Sequence, residues 1–311
     1  MSLIDKRVLI VTGKGGTGKT TIAAALGLWA ARTGKKTLIV ECNGAQHIGP
    51  LFGCEPGTYT PIEVQPNLSA MTITSEEAIE DYIVQQIKVR ALYNLVFRNR
   101  IMGPFMDAVP GLHDAVHLGK VFDLTELTTE DGSPVWDLII VDAPATGHGL
   151  SLLASPKSMM ELTRKGPIFD GVQSVQEVIE DVNQTGIVLT CLPEQMPVNE
   201  TIELFDALNV HQRQVLACVL NQMDANRLPT LTDWNTAKAI LAVHPDPSIQ
   251  EATQWAEHWI ARRERQRLAQ TQINEQLHIP ILTAPLLMEP TIGLTELKAL
   301  SDSLATPEKT P

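Results

Sequence analysis

A glycine-rich stretch near the start of the sequence constrains the fold of this chain more than any other feature. The apolar run at residues 7–12 predicts a buried β-strand, and residues 22–31 are rich in helix formers. Between them lies Gly13-Lys14-Gly15-Gly16-Thr17-Gly18-Lys19-Thr20-Thr21. A strand, a glycine loop and a helix in this order are the context that a phosphate-binding loop requires. The residues that match its G-x-x-x-x-G-K-[ST] spacing are Gly13, Gly18, Lys19 and Thr20.

The residue types of this loop suit a nucleotide bound together with Mg²⁺. Glycines let the backbone turn its N–H groups towards phosphate oxygens, and the helix that follows adds the positive end of its dipole. We expect Lys19 to reach the β- and γ-phosphates and the hydroxyl of Thr20 to ligate Mg²⁺. The predicted nucleotide-binding residues of the loop are Gly13, Lys14, Gly15, Gly16, Thr17, Gly18, Lys19, Thr20 and Thr21.

A second acidic signal lies further along the chain. Four apolar residues at 138–141 are followed by Asp142, which is the Walker B arrangement of an acid at the tip of a strand near Mg²⁺. Many strands end in aspartate, so this pattern gains its weight from the phosphate loop upstream. Thr20 and Asp142 are therefore the predicted metal ligands.

The remaining apolar runs predict an α/β fold with a mostly parallel, doubly wound sheet, as in P-loop NTPases. Further strands are expected at 37–41, 68–74, 136–142, 186–190, 212–221 and 279–282. Helices are expected at 75–106, 112–127, 149–164, 167–183, 199–208 and 249–278, with a closing helix from residue 293. The economical organisation is a single domain over residues 1–311. Helical insertions at about 75–128 and 150–184 would form its subdomain, and residues 42–53 would be a polar, flexible switch loop.

Composition narrows the class of protein. Asp and Glu number 36 against 24 Lys and Arg, a net charge of −12, which disfavours nucleic acid as a partner. The four cysteines are isolated from one another, which is typical of a reducing compartment and of no zinc or iron–sulfur framework. No apolar run reaches the ~20 residues that span a bilayer. We therefore expect a cytoplasmic protein without direct membrane insertion.

A second lysine in the loop adds a resemblance to a known group. The sequence G-K-G-G-T-G-K-T-T, with Lys14 after the first glycine, resembles the deviant Walker A motif. That motif is found in ATPases such as ArsA, the tail-anchored-protein targeting ATPases, MinD/ParA and the nitrogenase iron protein. The resemblance implies a dimer in which Lys14 crosses to the nucleotide of the partner. There it would stabilise charge as an arginine finger does.

Further segments resemble the branch of ArsA and the tail-anchored-protein targeting ATPases. They are residues 110–115, 142–150, 192–201 and 220–222, and with the loop they extend the resemblance over about residues 6–305. The resemblance implies that Asn221 contacts adenine and that Pro285 and Leu286 lie beside the base. The chain is most similar to bacterial ArsA-like anion-transporting ATPases, whose E-x-x-G-x-Q pattern is present as Glu41, Gly44 and Gln46.

Two departures from this branch affect the expected chemistry. Its D-P-A-H switch carries an aspartate that positions the attacking water, whereas this chain has Asn43-Gly44-Ala45-Gln46. We hypothesise that Asn43 or Gln46 orients the water and that turnover is slow. Lys14, Asn43 and Gln46 are then the candidate catalytic residues. The zinc C-x-x-C of the targeting ATPases falls on Ala256 and Trp259, so a zinc-bridged dimer is not expected.

The expected function is that of a Mg²⁺-ATP-dependent ATPase, a dimer switch that energises transport or targeting of an unknown client. Its partners would be a second copy or a paralogue, and a membrane transporter or a hydrophobic client protein. Two alternatives stay open: a nucleotide-gated chaperone for hydrophobic segments with little or no hydrolysis, and a catalytically weak subunit of a paralogue pair. A positioning switch like MinD or ParA is disfavoured, because the chain lacks a basic patch and a terminal amphipathic helix.

Overall fold

The architecture was taken from a computed structural model. It describes residues 3–42, 44–87, 111–144, 148–163, 165, 167–224, 231–241, 243–244 and 246–306. The part of the predicted first insertion at 88–110 lies outside these residues, as do Asn43 and residues 145–147.

One eight-stranded sheet organises the described chain. Its strands are β1 (Val8–Gly13), β2 (Thr37–Glu41), β3 (Ile62–Gln65), β4 (Leu68–Thr72), β5 (Leu138–Asp142), β6 (Thr185–Cys191), β7 (Val215–Met223) and β8 (Ile281–Pro285). Their spatial order is β3-β4-β2-β5-β1-β6-β7-β8. Every neighbouring pair is parallel except β3 with β4. The predicted mostly parallel α/β sheet is confirmed.

Ten α-helices connect and cover these strands in the described chain. They are α1 (Lys19–Arg32), α2 (Ile48–Leu51), α3 (Ser75–Ile87), α4 (Leu112–Glu126), α5 (His148–Thr163), α6 (Pro167–Glu180), α7 (Gln195–Ala207), α8 (Leu231–Leu241), α9 (Pro247–Leu277) and α10 (Leu294–Ala305). Short 3-10 helices occupy Leu3–Asp5 and Asn209–Gln214.

Strand alternation sends successive side chains to opposite faces of the sheet, and a separate core lies on each face. Val8 and Ile10 belong to one core, which includes residues of α4, α6, α7 and α9. Leu9 and Val11 belong to the other, which is built largely from α1 and α10. Helices on both faces make the sheet doubly wound, and they leave its carboxyl edge as the place where loops and polar residues meet.

The insertion helices contact one another and also join the first core. Helices α3 to α6 pack in a group. Leu118 and Val121 of α4 and Val175 and Ile179 of α6 share a hydrophobic cluster with the strands. Their division from the sheet as a helical subdomain stays a prediction.

One strand and two α-helices were missed by the sequence patterns. Strand β3 pairs antiparallel at the sheet edge and is only half-buried, so its apolar signal is short. Helix α8 carries one buried residue, Trp234. Helix α2 lies within the segment 42–53, which was expected to be a polar and flexible loop, and it buries Ile48.

The longest helix has clear boundaries. Pro247 begins α9, and the side chain of Asp246 caps it by accepting a hydrogen bond from the backbone N–H of Ser248 at 2.9 Å. The helix ends at His278, which adopts a left-handed conformation. Among the described residues, no helix combines the length and the hydropathy needed to cross a membrane.

Candidate functional site

The phosphate loop lies between strand β1 and helix α1, at the carboxyl edge of the sheet. Strands β5 and β6 flank β1 in parallel. Asp142 at the end of β5 and Thr190 near the end of β6 are therefore brought to the loop from opposite sides. Open α/β sheets bind ligands at this kind of position.

The conformation of the loop depends on its glycines. Gly16 and Gly18 have φ values of 80° and 89°, in the left-handed region that other residues rarely adopt. A Cβ at Gly16 would meet no atom within 4 Å, so the backbone there faces open space. Gly18 is the N-cap of α1 and provides no side-chain cap, so the first N–H groups of a 14-residue helix are left for an anion.

Two threonines hold the start of the loop against strand β6. The Oγ1 atoms of Thr17 and Thr190 are 2.7 Å apart, and Thr17 also donates to the backbone oxygen of Lys14 at 2.8 Å. A Cβ at Gly13 would lie 2.4 Å from the backbone oxygen of Thr190. Thr190 was not predicted from the sequence as a site residue. A polar residue near the end of a buried strand is the signal that it carried, but only the strand order places that residue beside Gly13.

Asn221 contacts the loop from strand β7. Its Nδ2 donates to the backbone oxygen of Thr17 at 2.9 Å, and its Oδ1 accepts from the N–H of Gln222 at 2.9 Å. The side chain is 7% exposed and lies directly over Gly18. The adenine contact assigned to Asn221 by resemblance stays a prediction. In the structure, its amide joins the end of β7 to the phosphate loop.

The predicted base-side segment adjoins the same strand. Pro285 ends β8 in register with Met223, and the N–H of Leu286 donates to the backbone oxygen of Met223 at 2.8 Å. Pro285 and Leu286 thus lie beside Met223, which follows Asn221 by two residues on β7. The structure brings all three residues to one side of the loop.

Lys19 is a largely buried residue whose ammonium lies inside the loop. It is 9% exposed, and its Nζ donates to the backbone oxygen of Lys14 at 3.1 Å. Burial lowers the pKa of this lysine, and the nearby carboxylate of Asp142 partly offsets that effect. An ammonium has three donors, so its charge and its remaining hydrogen-bonding capacity suit a phosphate oxygen.

Asp142 and Thr20 fit the predicted Mg²⁺ site. The Thr20 hydroxyl donates to Oδ2 of Asp142 at 2.7 Å, whereas Oδ1 is buried and has no hydrogen-bond partner among the described residues. Burial raises the pKa of Asp142 to about 6; Glu41 adds to the increase, and the bond from Thr20 opposes it. A fully buried carboxylate with one unsatisfied oxygen suits a cation that would stabilise its charged form.

No group of three or more His, Cys, Asp or Glu side chains within the described ranges has the arrangement of a protein-only metal site. Mg²⁺ commonly takes one or two protein ligands together with phosphate oxygens. Thr20 and Asp142, next to a phosphate loop, agree with that mode of binding.

Lys14 lies at the surface of the loop and pairs within its own chain. Its Nζ is 3.0 Å from Oε1 of Glu200 on α7, and the two side chains are 44% and 26% exposed. A pair this exposed is worth at most about 1 kcal/mol. The contact can therefore be exchanged for another anion at little cost.

The predicted switch segment, residues 42–53, is held at the sheet edge by Glu41. Glu41 is fully buried and accepts hydrogen bonds from the N–H groups of His47 and Ile48. Gln46 is exposed with a φ of 56°, and Asn43 lies outside the described residues. The roles predicted for both in orienting water stay predictions.

An open cavity of about 320 Å³ adjoins the loop. It is lined by Thr20, Thr21, His47, Pro50, Leu51 and Ile292. The cavity joins the start of α1, the end of the switch segment and the loop that follows β8. His47 belongs to the predicted switch loop at 42–53, although it was not singled out as a site residue. Ile292 was not predicted to lie here, because it is distant from the motif in sequence and no local pattern marks it.

The close contact over Gly18 leads to a prediction with an internal control. Gly18→Ala would place a Cβ 2.2 Å from Nδ2 of Asn221, whereas Gly34, with a similar φ of 94°, has no atom within 4 Å of that position. Both variants carry the left-handed cost of about 1 kcal/mol. Only Gly18→Ala also displaces Asn221 from Thr17.

We expect urea unfolding to give a stability loss of about 1 kcal/mol for Gly34→Ala and at least about twice that for Gly18→Ala. Equilibrium titration should show weakened ATP binding in Gly18→Ala alone. Equal effects of the two substitutions would contradict the packing of Asn221 on the loop.

The fold and the loop together define an α/β protein of the P-loop NTPase class. Residues 6–166 match the family described as anion-transporting ATPases. The chain belongs to that family of ATPases, and the resemblance to ArsA and the targeting ATPases is confirmed.

Similar proteins differ in how much of their length the chain covers. ATPase BagA of Mycobacterium tuberculosis is 34% identical over 227 residues, which are 70% of this chain and 65% of that protein. A putative arsenical pump-driving ATPase of Halobacterium salinarum is 26% identical over 314 residues, 94% of this chain and 44% of that protein. ATPase GET3 of Chaetomium globosum is 24% identical over 346 residues, 98% and 93% of the two chains. The chain thus spans less than two thirds of the mycobacterial relative.

Proposed function

We propose that this chain binds Mg²⁺-ATP and hydrolyses it slowly as part of a dimer that energises transport or targeting of another molecule. The main support for this proposal is the pair Thr20 and Asp142 beside the phosphate loop. Oδ1 of Asp142 is buried there and has no hydrogen-bond partner among the described residues. The part-buried ammonium of Lys19 would supply the matching positive charge for phosphate. Mg²⁺, when bound, would neutralise phosphate charge in phosphoryl transfer.

Each part of the site would have its own role in binding and hydrolysing ATP. The amides of Gly15–Gly18 and the ammonium of Lys19 bind phosphate. Thr20 and Asp142 hold the metal ion, and Gln46 or Asn43 orients water. Lys14 acts on the nucleotide of the partner subunit, which is either a second copy or a paralogue.

The proposed dimer is supported by the position of Lys14. Its side chain leaves the loop towards solvent and meets a glutamate rather than the interior of the site. A cation in this position can reach a second chain without moving the phosphate loop. The proposed cytoplasmic location agrees with the four cysteines, all of which are free thiols.

Two measurements test this function. Equilibrium titration with a fluorescent ATP analogue, with and without Mg²⁺, should show binding that depends on the metal. Phosphate release per subunit should then rise with protein concentration, because a dimeric site forms by mass action. Binding of the ATP analogue that does not require Mg²⁺ would contradict the proposal. So would a rate of phosphate release per subunit that stays constant when the protein is diluted far below micromolar concentration.

A nucleotide-gated chaperone for hydrophobic segments is the second candidate. Leu162 on α5, in the second insertion, is 63% exposed and offers apolar surface. This candidate predicts ATP binding without measurable phosphate release, together with hydrophobic peptides that co-purify and leave on addition of nucleotide. A catalytically weak subunit of a paralogue pair would instead gain phosphate release when the paralogue is added.

A further inference from the structure

Glu41 is a buried acid at the site to which the expected chemistry assigns no task. It ends β2 and lies beside Asp142 of β5 in the register of the sheet. Both side chains are fully buried. A carboxylate is costly to bury unless hydrogen bonds compensate its charge, so its contacts indicate what keeps it there.

Three donors converge on this carboxylate. The N–H of His47 donates to Oε1 at 2.8 Å, and the N–H of Ile48 donates to Oε2 at 3.3 Å. The hydroxyl of Thr72 on β4 donates to Oε2 at 3.2 Å. Two of the three donors are backbone groups at the start of α2, so the carboxylate binds the main chain there.

These bonds close the switch segment into a ring. The side chain of Glu41 at the sheet edge bonds the backbone of His47, six residues further along the chain. Residues 44–47 stay exposed. Ile48 is then buried in the core. The backbone N–H of Ile73, the residue that follows β4, also donates to the carbonyl of Glu41 at 2.9 Å, which fixes the start of the ring.

We propose that Glu41 is the positioning residue of the switch segment, holding residues 44–47 and thus Gln46 at a set place beside Asp142 and the phosphate loop. This rests on the proposed ATP hydrolysis for its catalytic consequence but not for the contacts. The hydrogen bonds that the Glu41 carboxylate accepts from His47, Ile48 and Thr72 all come from the protein itself. Glu41 acts through the two amides that it fixes.

Carboxylate chemistry explains why this position needs a glutamate. Two acceptor oxygens serve two amides at once, whereas the amide group of glutamine has one acceptor and one NH₂ donor. In Glu41→Gln, either His47 or Ile48 would face a donor and lose its bond. Glu41→Asp keeps the charge, but its shorter side chain cannot reach both amides.

Thr72→Val is the matched control. It also removes a buried hydrogen bond of the same carboxylate, yet it leaves both amides of the switch segment bound. A merely structural role of Glu41 would make the glutamine and valine variants behave alike.

The test is peptide-resolved amide hydrogen exchange of residues 44–51 in the nucleotide-free protein, together with steady-state kinetics. Losing one bond to a charged acceptor should speed exchange about tenfold in Glu41→Gln and Glu41→Asp, with no change in Thr72→Val. The kcat should fall by about the same factor, while KM and the Kd for ATP stay within about threefold of wild type.

Exchange that stays slow in the Glu41 variants, or that rises equally in Thr72→Val, would overturn the proposal. So would a loss confined to ATP affinity with kcat unchanged. If Glu41→Gln fails to fold, Glu41→Asp decides the question. If the wild-type protein releases no phosphate, the proposed function fails, and the exchange result in the nucleotide-free protein still decides whether Glu41 positions the segment.

Discussion

Lys14→Ala is expected to lower kcat about 10³-fold while the Kd for ATP stays within about threefold of wild type, as for the loss of a cation that acts in trans. Lys19 and the backbone of the loop stay in place, so phosphate binding is preserved. The exposed ion pair with Glu200 contributes little to stability, so the variant should fold normally. Single-turnover phosphate release at saturating ATP measures the effect.

Two companion experiments assign the origin of that loss. Glu200→Gln removes the intrachain partner and keeps the lysine, and it should leave kcat unchanged or higher. Mixing Lys14→Ala with Asp142→Asn should restore about a quarter of the wild-type rate, since half of randomly formed dimers then hold one complete site. No recovery on mixing, at protein concentrations where dimers form, would contradict a homodimer in which Lys14 acts in trans. A kcat loss in Lys14→Ala accompanied by an equal loss of ATP affinity would contradict its assignment as a trans cation.

Asp142→Asn is expected to stabilise the nucleotide-free protein and abolish its response to Mg²⁺. Burial raises the pKa of Asp142 from the ordinary 3.8 to about 6. The folded state therefore holds the proton more tightly than the unfolded state, and stability falls as pH rises from about 4 through about 6. Above that range the ionised carboxylate costs about 3 kcal/mol, which the neutral amide avoids.

Urea unfolding in the presence of a chelator should show this dependence. The variant should exceed wild type by about 3 kcal/mol at pH 7, and the difference should vanish below about pH 3. Adding Mg²⁺ in the presence of ATP should stabilise wild type further and should give the variant no additional stability, and the kcat of the variant should be reduced about 10³-fold. Equal pH profiles for the two proteins would show that the carboxylate is not destabilised by burial. The expected gain in stability with a loss of function is typical of a residue kept for its chemistry.

Much of the fold follows from local patterns. Strands β1, β2 and β5 are buried on both faces, so they appear as continuous apolar runs close to their observed bounds. Strand β3 and helix α8 bury little, and such elements carry weak periodic signals. The observed α2 depends on Glu41 and on a buried Ile48, which no pattern in residues 42–53 indicates.

The candidate site divides in the same way. The phosphate loop is continuous in sequence, because glycines, a lysine and a threonine must follow one another on a single turn, so residues 13–21 and the acid at 142 could be assigned from the sequence alone. Thr190, Glu41, Glu200 and His47 come from other strands and helices. The strand order β2-β5-β1-β6 brings Thr190 to the loop and places Glu41 beside Asp142, so that residues distant in sequence lie side by side. Sheet pairing depends on hydrogen bonds between segments far apart in the chain, and for that reason only the tertiary structure decided which polar side chains surround the loop.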